Sequence, residues 1–502
     1  MTSGVRCKNA GMDIEESVII QGGMGAGVSN WRLAKEVSRL GQLGVVSGTA
    51  IDQILVRRLQ DGDEGGHMRR GLDAFPFPAI AERVWQRYFI AGGKAAGTPY
   101  QVAAMHTKDD SRELTELCML SNFVEVYLAR EGHGHAVGIN YLEKIQTALL
   151  SSLYGAMLAG VDYVLMGAGI PLKVPGVLDR LSRHEAVEYS LHVTGATESD
   201  DTLMHFDPQE YMEVALGPLR RPKFLPIVSS NTLASTMLKK ANGRVDGLVV
   251  EMRTAGGHNA PPRGKVQLSD AGEPVYGERD AIDLAKLREL GVPFWLAGGY
   301  GFPEKLQEAL ALGAAGVQVG TAFEFADESG LRADYKRELL AKAVAGTAHV
   351  FTDPLASPTG FPFKVAQLEG THSEQEVYES RPRICDLGFL REAYRTDEGS
   401  IGYRCPAEPL SVYLSKGGKE EDSAGRKCIC NGLVANIGYP QVRNGQRVER
   451  GIITAGDDLN SVAQFLPPGR DAYCVADVIA HLLGESVEAV TGRELMTASS
   501  SL

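Results

Sequence analysis

The chain has 502 residues, 44% of them hydrophobic and 23% charged, a composition typical of a globular protein and not of a fibrous or low-complexity one. Its 51 basic and 63 acidic residues give a formal net charge of −12, which argues against a general nucleic-acid-binding surface. No apolar run approaches the ~20 residues of a membrane span, and the N-terminal segment MTSGVRCKNAGMDIEES lacks the apolar core of a signal peptide. We therefore expect a cytoplasmic protein that binds neither nucleic acid nor membranes.

Eight short apolar runs alternate with helix-like segments, a pattern that predicts parallel β/α units. Helices are predicted after the first, third and seventh runs, and Pro303 begins the last of these, where its missing N–H is tolerated. Eight such units predict an α/β protein with a TIM (β/α)8 barrel. In chain order the predicted strands cover residues 17–23, 43–49, 136–142, 161–167, 224–230, 246–252, 293–299 and 316–322.

Two intervals between predicted strands are too long for simple crossovers and predict insertions in the barrel. Residues 50–135 are charged and mostly helical in pattern; within them FVEVYLA alone could pass as a strand, but we interpret it as helix. Residues 171–223 form the second predicted insertion, and insertions on this side of a barrel usually shape substrate access. The predicted domains are a barrel over 13–325 with helical insertions and a C-terminal extension over 326–502.

The C-terminal extension has a different character, rich in cysteine, glycine and loops. Helices are predicted over 331–346 and 472–484, irregular structure over 385–450, and a disordered tail over 497–502. Four thiolates can form a tetrahedral zinc site, but a C-x-C pair with two distant cysteines is not the usual spacing of zinc ligands. We therefore predict free thiols and no metal. The cysteines concerned are Cys385, Cys405, Cys428 and Cys430.

Glycines directly follow the seventh and eighth predicted strands, in LAGGYG (296–301) and QVGTAF (318–323). Barrels often bind phosphate at this place, on backbone N–H groups and a helix N-terminus. Glycine lets the backbone approach a ligand closely, and Thr321 adds a hydroxyl donor. Either pair alone would be interpreted as a tight turn, but two pairs at neighbouring strand ends favour a phosphate site.

His258 follows two glycines at the C-terminal end of the sixth predicted strand, the face where catalytic groups of barrels cluster. An imidazole can take or give a proton near neutral pH. An isolated histidine at such a position would be interpreted as a structural residue that forms a hydrogen bond with a loop. Here the glycine pair and the predicted phosphate site nearby favour a catalytic role. Glu251 lies in the apolar run of the same strand and needs a partner, either a cofactor hydroxyl or a backbone donor.

The first strand ends in QGGMGAGVS (21–29), a glycine cluster that is too weak to indicate dinucleotide binding. In a barrel, Gly22, Gly23 and Met24 would line the mouth and meet the ring of a flat cofactor. Asn140, at the end of the third predicted strand, directs an amide toward the same mouth.

Together these segments resemble the nitronate monooxygenase family, formerly called 2-nitropropane dioxygenases, from about residue 17 to about residue 365. The order and spacing of the segments match those of the family. The family is similar to FMN-dependent enoyl-acyl-carrier-protein reductases and to the trans-acting enoyl reductases of polyunsaturated fatty acid and polyketide synthases. The matching segments are IIQGGMGAGVS, LGVVSGT, GINYLEK, AGGH, AGG and ALGAAGVQVGTAF.

The resemblance implies an FMN-dependent oxidoreductase in which His258 is the acid/base residue. It places Glu251, Asn140 and the first-strand loop with Gly22, Gly23 and Met24 against the flavin. The residues implied to hold the flavin phosphate are Gly257, Gly298, Gly299, Gly320 and Thr321.

The chain departs from the family pattern in three places. Residues 259–262 read Asn-Ala-Pro-Pro, where nitronate monooxygenases usually have Arg-Gly after the histidine. The insertion at 50–135 is longer than in compact members, and the extension after residue 365 is absent from them. The resemblance therefore implies FMN and the role of His258 well, but it implies the identity of the substrate only poorly.

Three functions fit these features. The first is oxidation of a nitronate or similar carbon acid with dioxygen. The alternative is an enoyl-thioester reductase of fatty-acid or polyketide synthesis, with NAD(P)H as electron donor; the net charge of −12 weighs against docking an acidic carrier protein. A flavin-binding barrel without activity is disfavoured by the intact AGGH. The expected substrate is a small molecule or an acyl thioester, and a homodimer and a carrier-protein partner are left open.

Overall fold

The computed structural model describes residues 17–443, 445 and 447–492. The predicted start of the barrel at residue 13 and the predicted disordered tail at 497–502 lie outside the described residues. In chain order the strands are β1 (Ile19–Gln21), β2 (Gly44–Ser47), β3 (Val137–Leu142), β4 (Tyr163–Gly167), β5 (Val187–Ser190), β6 (Val193–Thr194), β7 (Leu203–Phe206), β8 (Lys223–Val228), β9 (Leu248–Glu251), β10 (Phe294–Ala297), β11 (Gly316–Val319), β12 (Val350–Asp353), β13 (Phe363–Ala366), β14 (Glu392–Arg395), β15 (Ile401–Arg404), β16 (Val442–Arg443) and β17 (Arg447–Val448).

The helices predicted after the first, third and seventh strands are present as α1 (Trp31–Arg39), α6 (Leu149–Leu158) and α10 (Pro303–Ala311). The side chain of Asn30 caps α1 by accepting the N–H of Leu33 at 3.0 Å, and Pro303 begins α10. In chain order the helices are α1 (Trp31–Arg39), α2 (Ile51–Gln60), α3 (His67–Asp73), α4 (Pro78–Tyr88), α5 (Arg112–Arg130), α6 (Leu149–Leu158), α7 (Val174–Leu181), α8 (Asn231–Lys240), α9 (Leu284–Arg288), α10 (Pro303–Ala311), α11 (Thr321–Glu324), α12 (Ala333–Val344), α13 (Gln375–Glu379), α14 (Leu410–Ser415), α15 (Glu420–Ser423), α16 (Ile429–Asn436) and α17 (Val475–Leu483).

Eight parallel strands form the predicted TIM barrel, in the order β1-β11-β10-β9-β8-β4-β3-β2. Backbone hydrogen bonds close the ring between β1 and the start of β2, because Gln21 N–H donates to Leu43 O at 2.9 Å and Leu43 N–H donates to Ile19 O at 3.1 Å. All eight strands lie where the sequence pattern predicted them. The fold class is therefore confirmed.

The barrel strands alternate between an inner and an outer core. Along β9, Val249 packs inside the barrel, whereas Leu248 and Val250 face the surrounding helices. Both faces are covered, which explains why these strands are continuous apolar runs. The inner core consists of Ile20, Leu43, Val45, Tyr163, Leu165, Leu225, Val249, Trp295 and Ala297.

The insertion at 50–135 is helical, as predicted, and contains α2 to α5. The segment FVEVYLA lies within the 19-residue helix α5, so its interpretation as helix is confirmed. The insertion at 171–223 holds α7 and three short strands, of which β5 and β7 form an antiparallel pair. None of the helices within the described residues has the length and apolar character needed to cross a bilayer.

The extension is more regular than predicted. The predicted helices at 331–346 and 472–484 are present as α12 and α17, but the irregular structure predicted for 385–450 is partly wrong. Strand β14 pairs with β15 and also, in parallel, with β6 of the insertion at 171–223. This long-range pairing gives no local sequence signal. The extension shares one hydrophobic core with the barrel, and the division at residue 325 stays a prediction.

Gly316→Ala should destabilise the fold at the barrel closure, because a Cβ at this position would overlap the carbonyl oxygen of Val18. That oxygen accepts the N–H of Val317 at 2.9 Å between β1 and β11. We expect the free energy of unfolding to fall by about 1–3 kcal/mol in urea unfolding followed by circular dichroism. Gly134→Ala is the control, since a Cβ there would meet no heavy atom of the described residues within 4 Å. Equal stability of the two variants would contradict this packing.

Candidate active site

A cavity of about 370 Å³ lies at the C-terminal ends of the barrel strands. It contains every residue that the sequence singled out as a candidate, although they come from five separate strand ends. The structure thus brings them together, while the role of each stays a prediction. These residues are Gly22, Gly23, Met24, Asn140, Glu251, Gly257, His258, Gly298, Gly299, Gly320 and Thr321.

Two glycines allow close approach in the cavity wall. A Cβ on Gly23 would overlap the side chain of Asn140, so a larger residue would push that amide from its place. Gly298 has φ of +89°, and a Cβ there would lie 2.9 Å from the backbone nitrogen of Ala255. These positions require glycine because backbone and side chains meet here without a gap.

His258 stands between the barrel and the extension. Its Nε2 lies 2.7 Å from the hydroxyl oxygen of Ser357, and its ring packs on Phe363 with centroids 4.8 Å apart. Desolvation in this enclosed position lowers the pKa of His258 to about 4, so the imidazole is neutral near pH 7. Nδ1 has no hydrogen-bond partner among the described residues, which leaves it available to a ligand in the cavity.

The loop before His258 is fixed by hydrogen bonds from the extension. Gly257 N–H donates to the hydroxyl of Thr454 at 2.7 Å, and Lys364 N–H donates to Gly257 O at 3.0 Å. Asn259 N–H in turn donates to Pro362 O at 2.9 Å. The extension therefore determines where the imidazole stands.

Two polar side chains enter the cavity from the barrel wall. Glu251 and Gln318 are both in register with Ala297 on the strand between them, and Ala297 belongs to the inner core. Burial raises the pKa of Glu251 to about 8. The Oε1 atom of Gln318 is buried and has no hydrogen-bond partner among the described residues. A buried amide oxygen of this kind can be satisfied by a hydrogen-bond donor in the cavity.

The predicted phosphate end of the cavity holds carboxylates from two parts of the chain. The hydroxyl of Thr321 donates to Asp458 Oδ1 at 2.9 Å and accepts the N–H of Gly456 at 3.0 Å. Glu324 lies one turn further along α11, and burial raises its pKa to about 8. Within the described residues, the cavity lining contains three carboxyl groups and no lysine or arginine.

Four residues of this site escaped the sequence analysis. Gln318 had a usable signal, since it is a polar residue inside the apolar run GVQVG, as Glu251 is in its own strand. Ser357, Thr454 and Asp458 had none, because they lie in loops that reach the cavity only through tertiary packing.

The four cysteines of the extension come together beside the main cavity. They line a small second cavity of about 10 Å³, and Cys430 borders both cavities. Burial raises the pKa of Cys385 to about 11 and also raises the pKa of Cys430, which favours thiols over thiolates. Across residues 17–443, 445 and 447–492, no group of three or more His, Cys, Asp or Glu side chains is arranged to hold a metal ion. That these cysteines bind no metal stays a prediction.

Residues 205–355 match the nitronate monooxygenase family. This segment contains seven of the eleven candidates, His258 among them. The chain is also similar to a nitronate monooxygenase of Pseudomonas aeruginosa, 32% identical over 136 residues that make up 27% of this chain and 37% of the relative. A second, from Paraburkholderia phytofirmans, is 27% identical over 190 residues, 38% of this chain and 49% of the relative. The matches thus span less than half of each relative. The resemblance inferred from the sequence is confirmed.

The chain is also similar to two solved structures. FabK from Thermotoga maritima is 17% identical, with a TM-score of 0.43, and the match covers 97% of this chain and 96% of that chain. Nitroalkane oxidase from Streptomyces ansochromogenes is 16% identical, with a TM-score of 0.46, and the match covers 96% of this chain and 99% of that chain. At these TM-scores and identities, the similarity gives no information about the function of this chain.

Acid should destabilise the fold through His258. The unfolded chain takes up this proton near pH 6.5, whereas the folded chain takes it up only near pH 4, so stability is lost as the pH falls through this window. Since part of the ring faces the cavity, we expect a loss of about 1–2 kcal/mol between pH 7 and pH 5. The measurement is urea unfolding of the wild type and His258→Gln at both pH values, and parallel pH profiles would contradict a neutral imidazole.

Proposed function

We propose that this chain is an FMN-dependent oxidoreductase that oxidises a nitronate or a similar carbon acid with dioxygen. The observation that supports the proposal is the convergence of two independent sets of residues. One set lies in the segment that matches the nitronate monooxygenase family, and the other, Gly22, Gly23, Met24 and Asn140, lies outside that segment. Both sets line one cavity.

The hydrogen-bonding groups that line the cavity are of the kinds that FMN would need. Glycines after β10 and β11 form a cradle in which backbone can approach a phosphate, as in the phosphate sites of many barrels. Glu251 and Gln318 carry polar atoms that the ribityl hydroxyls would satisfy. The loop of Gly22, Gly23 and Met24 would lie against the ring. A bound FMN would supply the acceptor for the electrons of the substrate, and dioxygen would reoxidise the flavin.

His258 would handle the proton of the substrate. Its imidazole is neutral at pH 7, and Nε2 is engaged by Ser357, so Nδ1 is left to take the proton from the carbon next to the nitro group. If the substrate arrives as the nitronate anion, this proton has already been lost, and the imidazole would only position the anion. The hydrogen bonds from the extension keep the ring at one position and so reduce the cost of reaching the reactive geometry.

A second candidate, enoyl-thioester reduction, is favoured by the space beside the cavity. A further cavity of about 600 Å³ shares Glu251, Thr254 and Asn259 with the first and contains Arg253 and Arg263. A small nitronate does not need this space, whereas a long acyl thioester or a nicotinamide donor would use it. In that reaction His258 would donate a proton to the α-carbon.

His258→Asn should keep its flavin and lose most of its turnover, because the asparagine amide can fill the position but cannot take up the proton. We expect a decrease in kcat of about 10²–10⁴-fold with the neutral nitroalkane, which must lose its α-proton, as substrate. Flavin content is read from the absorbance spectrum. His349→Asn is the matched control, since His349 is exposed. Full activity of His258→Asn would remove this residue from the proton-transfer role.

Anaerobic mixing separates the two candidate functions. Bleaching of the flavin absorbance by a nitronate, without a nicotinamide, would support the oxidase. Rapid bleaching by NADPH or NADH, with no response to nitronate, would support the enoyl reductase instead.

A further inference from the structure

Asp458 connects the extension to the phosphate end of the cavity. It precedes the 3-10 helix Leu459–Phe465, and its Oδ1 accepts the hydroxyl of Thr321 at 2.9 Å. Thr321 follows β11, where the sequence alone predicted a phosphate site. Because a threonine hydroxyl has a single proton, Thr321 cannot donate to a phosphate while it donates to Asp458.

The charges around Asp458 leave its negative charge without compensation in the cavity. The neighbouring Asp457 adds negative charge, Glu324 of α11 adds it once its own carboxyl group ionises, and Tyr473 faces the same carboxyl group from the segment before α17. Lys364 of β13 is the cation in reach, but its Nζ is ion-paired with Asp457 at 2.5 Å. Burial accordingly raises the pKa of Asp458.

We propose, resting on the proposed FMN site, that Asp458 is a specificity-determining residue for the flavin phosphate. In its protonated form the carboxyl group donates a hydrogen bond to the phosphate. In its ionised form it repels the phosphate and retains the proton of Thr321. The preference for FMN over riboflavin, which has no phosphate, then falls as the pH rises.

Ionisation of the phosphate itself would change the affinity for FMN with pH in the opposite direction. A phosphate monoester loses its second proton near pH 6 and gains negative charge. Backbone N–H donors bind the more charged form better, so the phosphate alone would make FMN bind more tightly as the pH rises. A loss of preference for FMN with rising pH therefore points to a carboxyl group at the phosphate end of the cavity and not to the ligand. Its absence in Asp458→Asn assigns the effect to Asp458 and not to Glu324.

The test is the affinity of the flavin-free full-length chain for FMN and for riboflavin between pH 5 and pH 9, by quenching of flavin fluorescence. For the wild type we expect the preference for FMN over riboflavin to fall about tenfold or more as the pH rises. Asp458→Asn should bind FMN about tenfold more tightly than the wild type at pH 9 and lose this decline. Asp471→Asn, an exposed aspartate of the extension, is the control and should behave as the wild type.

An unchanged or rising preference for FMN in the wild type overturns the inference, as does an Asp458→Asn variant with the wild-type profile. Asp458→Ser provides a second neutral replacement if the amide variant does not fold. The pH profile of the wild type tests the inference even if neither variant folds. Failure to bind either flavin overturns the proposed function, and the inference with it. Tight FMN binding without the pH effect overturns the inference alone.

Discussion

The hydrogen bonds between the histidine loop and the extension are the constraint on which the rest of the site depends. Gly257 is held by Thr454 and by the backbone of Lys364, and His258 is held by Ser357. A loop with two glycines would otherwise sample many conformations, since glycine loses more conformational freedom on folding than any other residue. Contacts with residues about 100 and 200 positions further along the chain hold the loop in one conformation. The extension thereby completes the cavity that the barrel begins.

The electrostatics of the cavity follow from the same enclosure. Desolvation disfavours the charged form of every ionisable group that faces inward, so the imidazole of His258 stays neutral and the carboxyl groups of Glu251 and Glu324 resist ionisation. With no cation in the lining of the described cavity, backbone donors and neutral side chains are what an anionic ligand meets. Such a site suits a flavin whose phosphate is bound by backbone groups and a base that must be neutral at pH 7.

The barrel was predictable because its signals are local. Eight buried strands give eight continuous apolar runs, and inward polar residues such as Glu251 stand out within them. Glycines at strand ends likewise mark the mouth without knowledge of the fold. Ser357 and Thr454 could not be found this way, since nothing near them in sequence shows that they reach Gly257 and His258. The strand β14 was missed for a related reason, because its parallel partner β6 is about 200 residues away.

The most direct test of the central claim is the flavin content of the purified chain. The cofactor is released by heat or acid, identified by mass and quantified by absorbance against protein concentration. We expect one FMN per chain, or stoichiometric uptake of added FMN that quenches its fluorescence. A chain that carries no flavin and does not bind added FMN would contradict it, because the cavity at the barrel mouth would then serve another ligand.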